Sequence, residues 1–208
     1  VEGGWSKILL GSIGIGHVRY PSPNAPTGKS MFAHPFVSCD GKIILVHNGT
    51  IHNYKEIMAE LKSHEFSSFD KKLNNLNDSE VIVHLLEEEI GNAKGNVTEA
   101  VRKTCERLSE NSKNQFLFAF IHLGEPSKVY VVSGRDYENK RKVVVAYKEG
   151  FGSVFASYRD KGIDGREPIK FEAIKPFINF EEDKFEILDY DTVAILTKDG
   201  CRSLKMLK

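Results

Sequence analysis

The feature that most constrains this chain is a change of hydrophobic rhythm near residue 110. Between Asn53 and Ser109 apolar residues recur at helical spacing. From Gln115 onward they fall in short β-branched and aromatic runs separated by Gly, Asp, Glu and Lys. Three helices are expected in the first block. One starts at Asn53, with Glu56 at the reciprocal capping-box spacing and Ile57 and Leu61 on one face. A second opens at Asn77-Asp78 and continues through Val81, Leu85 and Leu86. A third runs from about Val97 to Ser109, capped by Asn96, with Cys105 on its apolar face beside Val101 and Leu108. Their polar link, Ser63 to Leu76, is expected to be exposed and mobile.

Seven strands are expected in the second block: Phe116–His122, Lys128–Ser133, Lys142–Tyr147, Gly152–Ser157, Phe185–Leu188, Thr192–Thr197 and Arg202–Leu207. Ahead of the helices, Ser12 to Tyr20 reads as a short buried strand. Pro21 to Ser30, with three prolines, reads as a loop. Lys42 to His47 reads as a strand ending at Asn48-Gly49, a turn signal. Strands, a helical block and a meander of strands argue an α+β class, and no linker or repeat divides the 208 residues, so one domain over 1–208 is expected.

Composition narrows the function classes. Formal net charge is zero, so no overall basic field argues for nucleic acid or an anionic membrane. The basic stretches Lys140 to Lys142 and Lys205 to Lys208 read as solvated strand ends. Cys39, Cys105 and Cys201 lie far apart without CxxC spacing, which argues against a disulfide framework. The seven histidines show no paired ligand spacing with carboxylates, so no metal and no cofactor is expected. No apolar run approaches membrane-spanning length, and no signal peptide pattern is present, so a cytoplasmic setting is expected. Thr27-Gly28-Lys29-Ser30 imitates the end of a phosphate-binding loop, but Pro23 stands where that motif needs its first Gly.

Three segments carry the candidate chemistry: Gly14 to Ser22, Val46 to Thr50, and Asn77 to Val81. Arg19 closes an apolar stretch, where a guanidinium either pairs internally or offers its planar fork to a ligand carboxylate. Asn48-Gly49 is either a plain turn or a side-chain amide beside a backbone N–H, a pair able to hold a developing oxyanion. Asp78, from the residues alone, reads as the N-cap of its helix.

Taken in order, Gly-x-Gly-His-x-Arg-Tyr-Pro, Ala33-His34-Pro35, His47-Asn48-Gly49 and Asn77-Asp78-Ser79-Glu80-Val81 resemble the motifs of class II glutamine amidotransferases. The first most resembles the version in glutamine phosphoribosylpyrophosphate amidotransferase, and a related one occurs in amidotransferase subunits of archaeal-type glutamate synthase. The resemblance is strong from about Ile13 to Leu86 and weaker to the end, where Tyr130 to Gly134 and Tyr190 to Ile195 are similar to family strands. It implies a four-layer αββα sandwich of the N-terminal-nucleophile hydrolase type. The implied reaction is hydrolysis of the glutamine side-chain amide to glutamate and ammonia by an N-terminal Cys, for an acceptor on a synthase partner domain or subunit. By position it implies that Arg19 binds the glutamine α-carboxylate and Asp78 the α-ammonium. Asn48 and Gly49 would form the oxyanion hole, Tyr20 and Ser22 a loop over the substrate, and His34 a supporting group.

Pro23 departs from the His or Ala of relatives. No Cys stands near Val1, and Cys39, between the motifs, is not read as the nucleophile. The expectation is that the family's first strand and its Cys lie ahead of Val1, in a free-standing subunit or excised domain. The alternative is an inactive relative that binds glutamine or a partner protein.

Overall fold

The computed structural model describes residues 11–19, 29–72, 74–135, 141–159 and 184–206. In chain order the strands and α-helices are β1 (Phe36–Val37), β2 (Ile43–Thr50), α1 (Tyr54–Glu60), α2 (Glu80–Asn92), α3 (Val97–Ser109) and β3 (Gln115–His122). They continue with β4 (Val129–Ser133), β5 (Arg141–Lys148), β6 (Gly152–Arg159), β7 (Lys184–Leu188), β8 (Thr192–Thr197) and β9 (Gly200–Lys205). They form a six-stranded sheet in the order β1-β2-β3-β4-β8-β9 and a three-stranded sheet in the order β6-β5-β7, and all these strand pairs of the described residues are antiparallel.

Period-two alternation divides β3 between two cores. Phe116, Phe118 and Phe120 pack with Ile82 and Leu86 of α2 and Val101 of α3, and Phe120 stacks on Tyr130 with ring centroids 4.8 Å apart. Leu117 and Ala119 turn the other way, onto Val143 and Val145 of β5 and Leu188 of β7. Strand β3 is therefore buried on both faces, which is why its sequence is a nearly unbroken apolar run. Helices, large sheet and small sheet make three stacked layers among the described residues. No described helix is long and apolar enough to cross a membrane.

Local signals position several elements well. Helix α3 buries Val97, Ala100, Val101, Thr104, Cys105 and Leu108, one stripe at helical spacing. The Asn96 side chain caps it by accepting the Glu99 N–H at 3.1 Å. Such a cap contributes about 1 kcal/mol.

Other expectations are corrected. Residues 11–19 form no strand; Ile13, Ile15, His17 and Arg19 alternate inward while Val18 is 90% exposed, but no described strand pairs with them. Their rhythm is extended without a ladder. The capping box at Asn53 does not form, because the Asn53 side-chain oxygen accepts from Asn114 Nδ2 at 2.7 Å instead. Helix α2 begins at Glu80, two residues beyond the expected Asp78 start. Strand β2 continues through Asn48 and Gly49 to Thr50, so this Asn-Gly is no turn. The Ser63 to Leu76 link is exposed at Ser63, Glu65, Ser67, Lys71, Lys72 and Asn74, as expected, but it is anchored in its middle. Glu80, 1% exposed, accepts hydrogen bonds from the backbone N–H and hydroxyl of both Ser67 and Ser68 and ties the link to α2. Arg141 is buried, not a solvated strand end.

Candidate active site

The site grows from the far end of β2. Leu123 N–H bonds Lys42 O, so the ladder alternation turns the N–H groups of Ile44, Val46, Asn48 and Thr50 toward β3. Those of Ile43, Leu45, His47 and Gly49 face the β1 side. The His47 N–H confirms this by donating to His34 Nδ1 at 3.3 Å. Pairing with β1 ends at Leu45, so the Gly49 N–H faces that side beyond the end of β1.

Side chains alternate too. His47 turns toward the helices, where its Nε2 lies 3.3 Å from Gln115 O and its Nδ1 lies 2.8 Å from Ser79 Oγ. A carbonyl only accepts, so Nε2 carries the proton and Nδ1 accepts from the Ser79 hydroxyl. This bond fastens β2 to the start of α2, next to Asp78. Burial lowers the pKa of His47 to about 3, with the Arg141 and His17 charges adding to the effect. His34 is lowered to about 2 by burial, then by His17, His47 and Arg19. Both rings are neutral near pH 7, as the His34 Nδ1 acceptor role requires. The His17 ring lies 4.3 Å from that of His34.

Asn48 turns toward the small sheet. Its Oδ1 accepts from Arg141 Nη1 at 2.8 Å, and its Nδ2 donates to Ser157 Oγ at 3.1 Å. A guanidinium can only donate, so Arg141 fixes which end of the amide is oxygen. The Nδ2 donor group, with a second N–H besides the one given to Ser157, is thereby oriented. Arg141 escaped the sequence reading, which merged it with flanking lysines. Its one signal is a guanidinium at the start of an apolar strand.

Gly49 has a structural requirement of its own. A Cβ there would lie 2.0 Å from Gln115 O and 2.5 Å from His47 Nε2, so no side chain fits. Asp78 does not cap α2; the N-cap residue is Ser79, whose N–H is taken by Asn77 Oδ1 at 3.0 Å. Asp78 Oδ2 instead accepts the Ile51 N–H at 2.7 Å, two residues beyond Gly49. Burial raises the Asp78 carboxyl above its ordinary value, opposed by the Ile51 hydrogen bond and by the charge of Arg19. Arg19, half-buried, thus acts electrostatically on both Asp78 and His34. Tyr20 and Ser22 lie outside the described residues.

Arg19, Asp78, Asn48 and Gly49 are therefore neighbours at one end of β2: a cation, a half-buried carboxylate, an oriented amide and a backbone N–H. Cys39 is not among them. It precedes the opposite end of β2, and the five steps from Ile43 to Asn48 alone span roughly 16 Å. Burial first, and then the neighbouring Glu87 and Glu65 charges, raise its thiol above the ordinary value, which disfavours the nucleophilic thiolate.

The profile of a protein family described as glutamine amidotransferase domain matches residues 29–161. Among curated proteins, the glutamine–fructose-6-phosphate aminotransferase (isomerizing) of Thermococcus kodakarensis is 35% identical over 194 residues, covering 92% of this chain and 26% of its own length. That of Thermotoga maritima is 32% identical over 190 residues, covering 90% of this chain and 25% of its own. The chain thus spans about a quarter of the length of these relatives. Among solved structures, glutamine phosphoribosylpyrophosphate amidotransferase from B. subtilis superposes with a TM-score of 0.59 at 15% identity, covering 92% of this chain and 34% of that one. At that identity the likeness is one of fold, the N-terminal-nucleophile hydrolase type.

Proposed function

Since the chain belongs to the class II glutamine amidotransferase family, we propose that it performs the glutaminase half-reaction of such an enzyme, releasing ammonia from the glutamine side chain for a partner domain or subunit. The observation that carries the reading is that the oriented Asn48 amide and Gly49 stand on the strand that leads to Ile51, whose N–H holds Asp78, the carboxylate on which the Arg19 charge acts. An α-amino acid presents a carboxylate and an ammonium on one carbon, and opposite charges at that scale select it over a simple amide.

In the reaction, the Arg19 guanidinium holds the α-carboxylate and Asp78 the α-ammonium. The side-chain amide then extends toward Asn48 and Gly49. Attack on the amide carbon by an N-terminal Cys puts negative charge on its oxygen, and Asn48 Nδ2 with the Gly49 N–H stabilises that charge. Collapse expels ammonia and leaves an acyl-enzyme, which water hydrolyses to glutamate. None of Cys39, Cys105 and Cys201 serves as nucleophile in this scheme. His34 and His47 hold β2 in place and stay neutral, so neither competes as a cation with the ammonium for Asp78. Tyr20 and Ser22 are assigned to the cover over the substrate.

The test is ammonia release from L-glutamine by the full-length polypeptide bearing its N-terminal Cys, with and without its partner. Asn48→Ala is expected to reduce turnover roughly 100- to 1,000-fold. No release under either condition contradicts the reading.

A further inference from the structure

At the opposite end of β2 the fold gathers a second group of reactive side chains, outside the site above. Cys39 comes from the β1–β2 turn, His64 from the α1–α2 connection, and His84 and Glu87 from successive turns of α2. One donor atom from each lies within 4.8 Å of all the others. Cys39 Sγ is 3.6 Å from His64 Nδ1 and 3.6 Å from His84 Nδ1. Glu87 Oε2 is 3.1 Å from His64 Nδ1 and 3.4 Å from His84 Nδ1.

We propose that Cys39 Sγ, His64 Nδ1, His84 Nδ1 and Glu87 Oε2 form a four-ligand zinc site. Zinc takes thiolate at about 2.3 Å, imidazole at about 2.0–2.1 Å and carboxylate at about 2.0–2.2 Å, in a tetrahedron. Those lengths and the tetrahedral angle require sulfur–nitrogen edges of about 3.6 Å and nitrogen–oxygen edges of about 3.3–3.4 Å. Three of the four measured edges match, and the fourth, His64 Nδ1 to Glu87 Oε2 at 3.1 Å, is short of a match by about 0.2 Å. Hydrogen bonding alone explains the arrangement poorly: each Nδ1 faces both the same sulfur and the same oxygen, and a ring nitrogen has one proton or one lone pair to offer. A shared cation uses every one of these contacts at once.

The surroundings support the ligands. The Glu87 carboxylate is oriented by the Cys39 N–H at 2.9 Å and the Asp40 N–H at 2.8 Å. The Glu65 N–H points at Cys39 Sγ at 3.4 Å, as donors do around metal-bound thiolates. Each imidazole has a carboxylate beyond its other nitrogen: His64 Nε2 lies 3.7 Å from Glu88 Oε2, and His84 Nε2 lies 3.8 Å from Glu80 Oε1. His84 Nε2 is buried without a hydrogen-bond partner, and carboxylates in that position orient metal-binding imidazoles. Four protein donors close the coordination sphere, so the site is structural. It fastens the α1–α2 connection, which leads to Asp78, to α2 and the β1–β2 turn. Cys39 is exposed, giving the ion a way in. Linear spacing hid this cluster because its ligands come from three segments; the His84–Glu87 step of one helical turn is the trace it leaves in sequence.

The test is metal analysis of the purified full chain, followed by chelator stripping and titration with Zn2+ and Co2+. One equivalent is expected to bind. Co2+ should give the visible bands of a tetrahedral ion and a thiolate-to-cobalt charge-transfer band. Cys39→Ser and Glu87→Gln should weaken Zn2+ binding by at least about 100-fold, beyond the 10- to 100-fold that outer-shell changes cost. Cys201→Ser should bind as the parent does. Should either ligand variant fail to fold, the parent's cobalt spectrum decides. An octahedral spectrum, absence of the thiolate band, or unchanged Zn2+ affinity in folded Cys39→Ser overturns the proposal.

Discussion

Arg141 Nη1 donates to Asn48 Oδ1 at 2.8 Å, joining the first residue of β5 to the candidate oxyanion residue on β2. The bond crosses from one sheet to the other, so a guanidinium on the small sheet sets the orientation of an amide on the large one. Arg141→Ala releases that amide to rotate. The expected result is a loss of turnover of up to about 100-fold with little change in KM, because misorientation affects the transition state more than substrate capture. A double-mutant cycle with Asn48→Ala checks it: the two losses should be strongly non-additive.

Asp78 must be ionised to hold an ammonium, yet burial raises its pKa. Glutamine affinity is therefore expected to fall on acidification at a higher pH than an ordinary carboxylate would give. The linkage sign for stability is opposite to the usual acidic case. With a raised folded pKa, the folded state binds the proton more tightly than the unfolded chain, so Asp78 contributes stability at low pH that is lost as pH rises through the folded value. Asp78→Asn keeps an acceptor for the Ile51 N–H. It should leave thermal stability at pH 7 unchanged or higher while weakening glutamine binding by about 2 kcal/mol or more, roughly 30-fold. Calorimetry and a melting curve on one sample test both halves.

His47 supplies the complementary pH dependence. Its pKa falls to about 3 in the folded state, from an ordinary value of 6.5, so the unfolded chain binds the extra proton between those values. Stability from this residue is present above pH 6.5 and drains as pH falls toward 3, by at most about 1.4 kcal/mol per pH unit. His47→Gln retains a donor and an acceptor without the titration. Urea midpoints between pH 7 and pH 5 should fall less steeply in the variant than in the parent.

Gly49→Ala places a methyl group 2.0 Å from Gln115 O. The backbone of β2 or β3 must shift to admit it, at a cost of about 3 kcal/mol. Denaturant unfolding measures this, and the loss should appear whether or not glutamine is present.

The legible parts of this fold were those fixed by neighbours in sequence. Helix α3 has its apolar stripe and its Asn96 cap within one stretch, and the strand β8 was bounded at Thr192 and Thr197 by turn residues on both sides. Expectations failed where a distant group competed. Asn114 takes the Asn53 oxygen that a capping box would use, and Glu80 looks like a surface acid until Ser67 and Ser68 fold over it. The Asn48-Gly49 pair suggested a turn because its glycine is a local signal, whereas the reason for that glycine is the close approach of Gln115 on another strand. Motif order pointed to Arg19, Asp78, Asn48 and Gly49 together. It could not point to Arg141, which has no motif and acts only through Asn48.

The central claim is that Arg19 and Asp78 bracket an α-amino acid. It is tested most directly by calorimetric titration of L-glutamine against its analogue lacking the α-amino group, 4-carbamoylbutanoate, in the parent and in Asp78→Ala. The account predicts that the parent prefers L-glutamine by roughly 30-fold or more and that Asp78→Ala loses this preference. Equal binding of the two ligands by the parent, or unchanged glutamine affinity in Asp78→Ala, would contradict it.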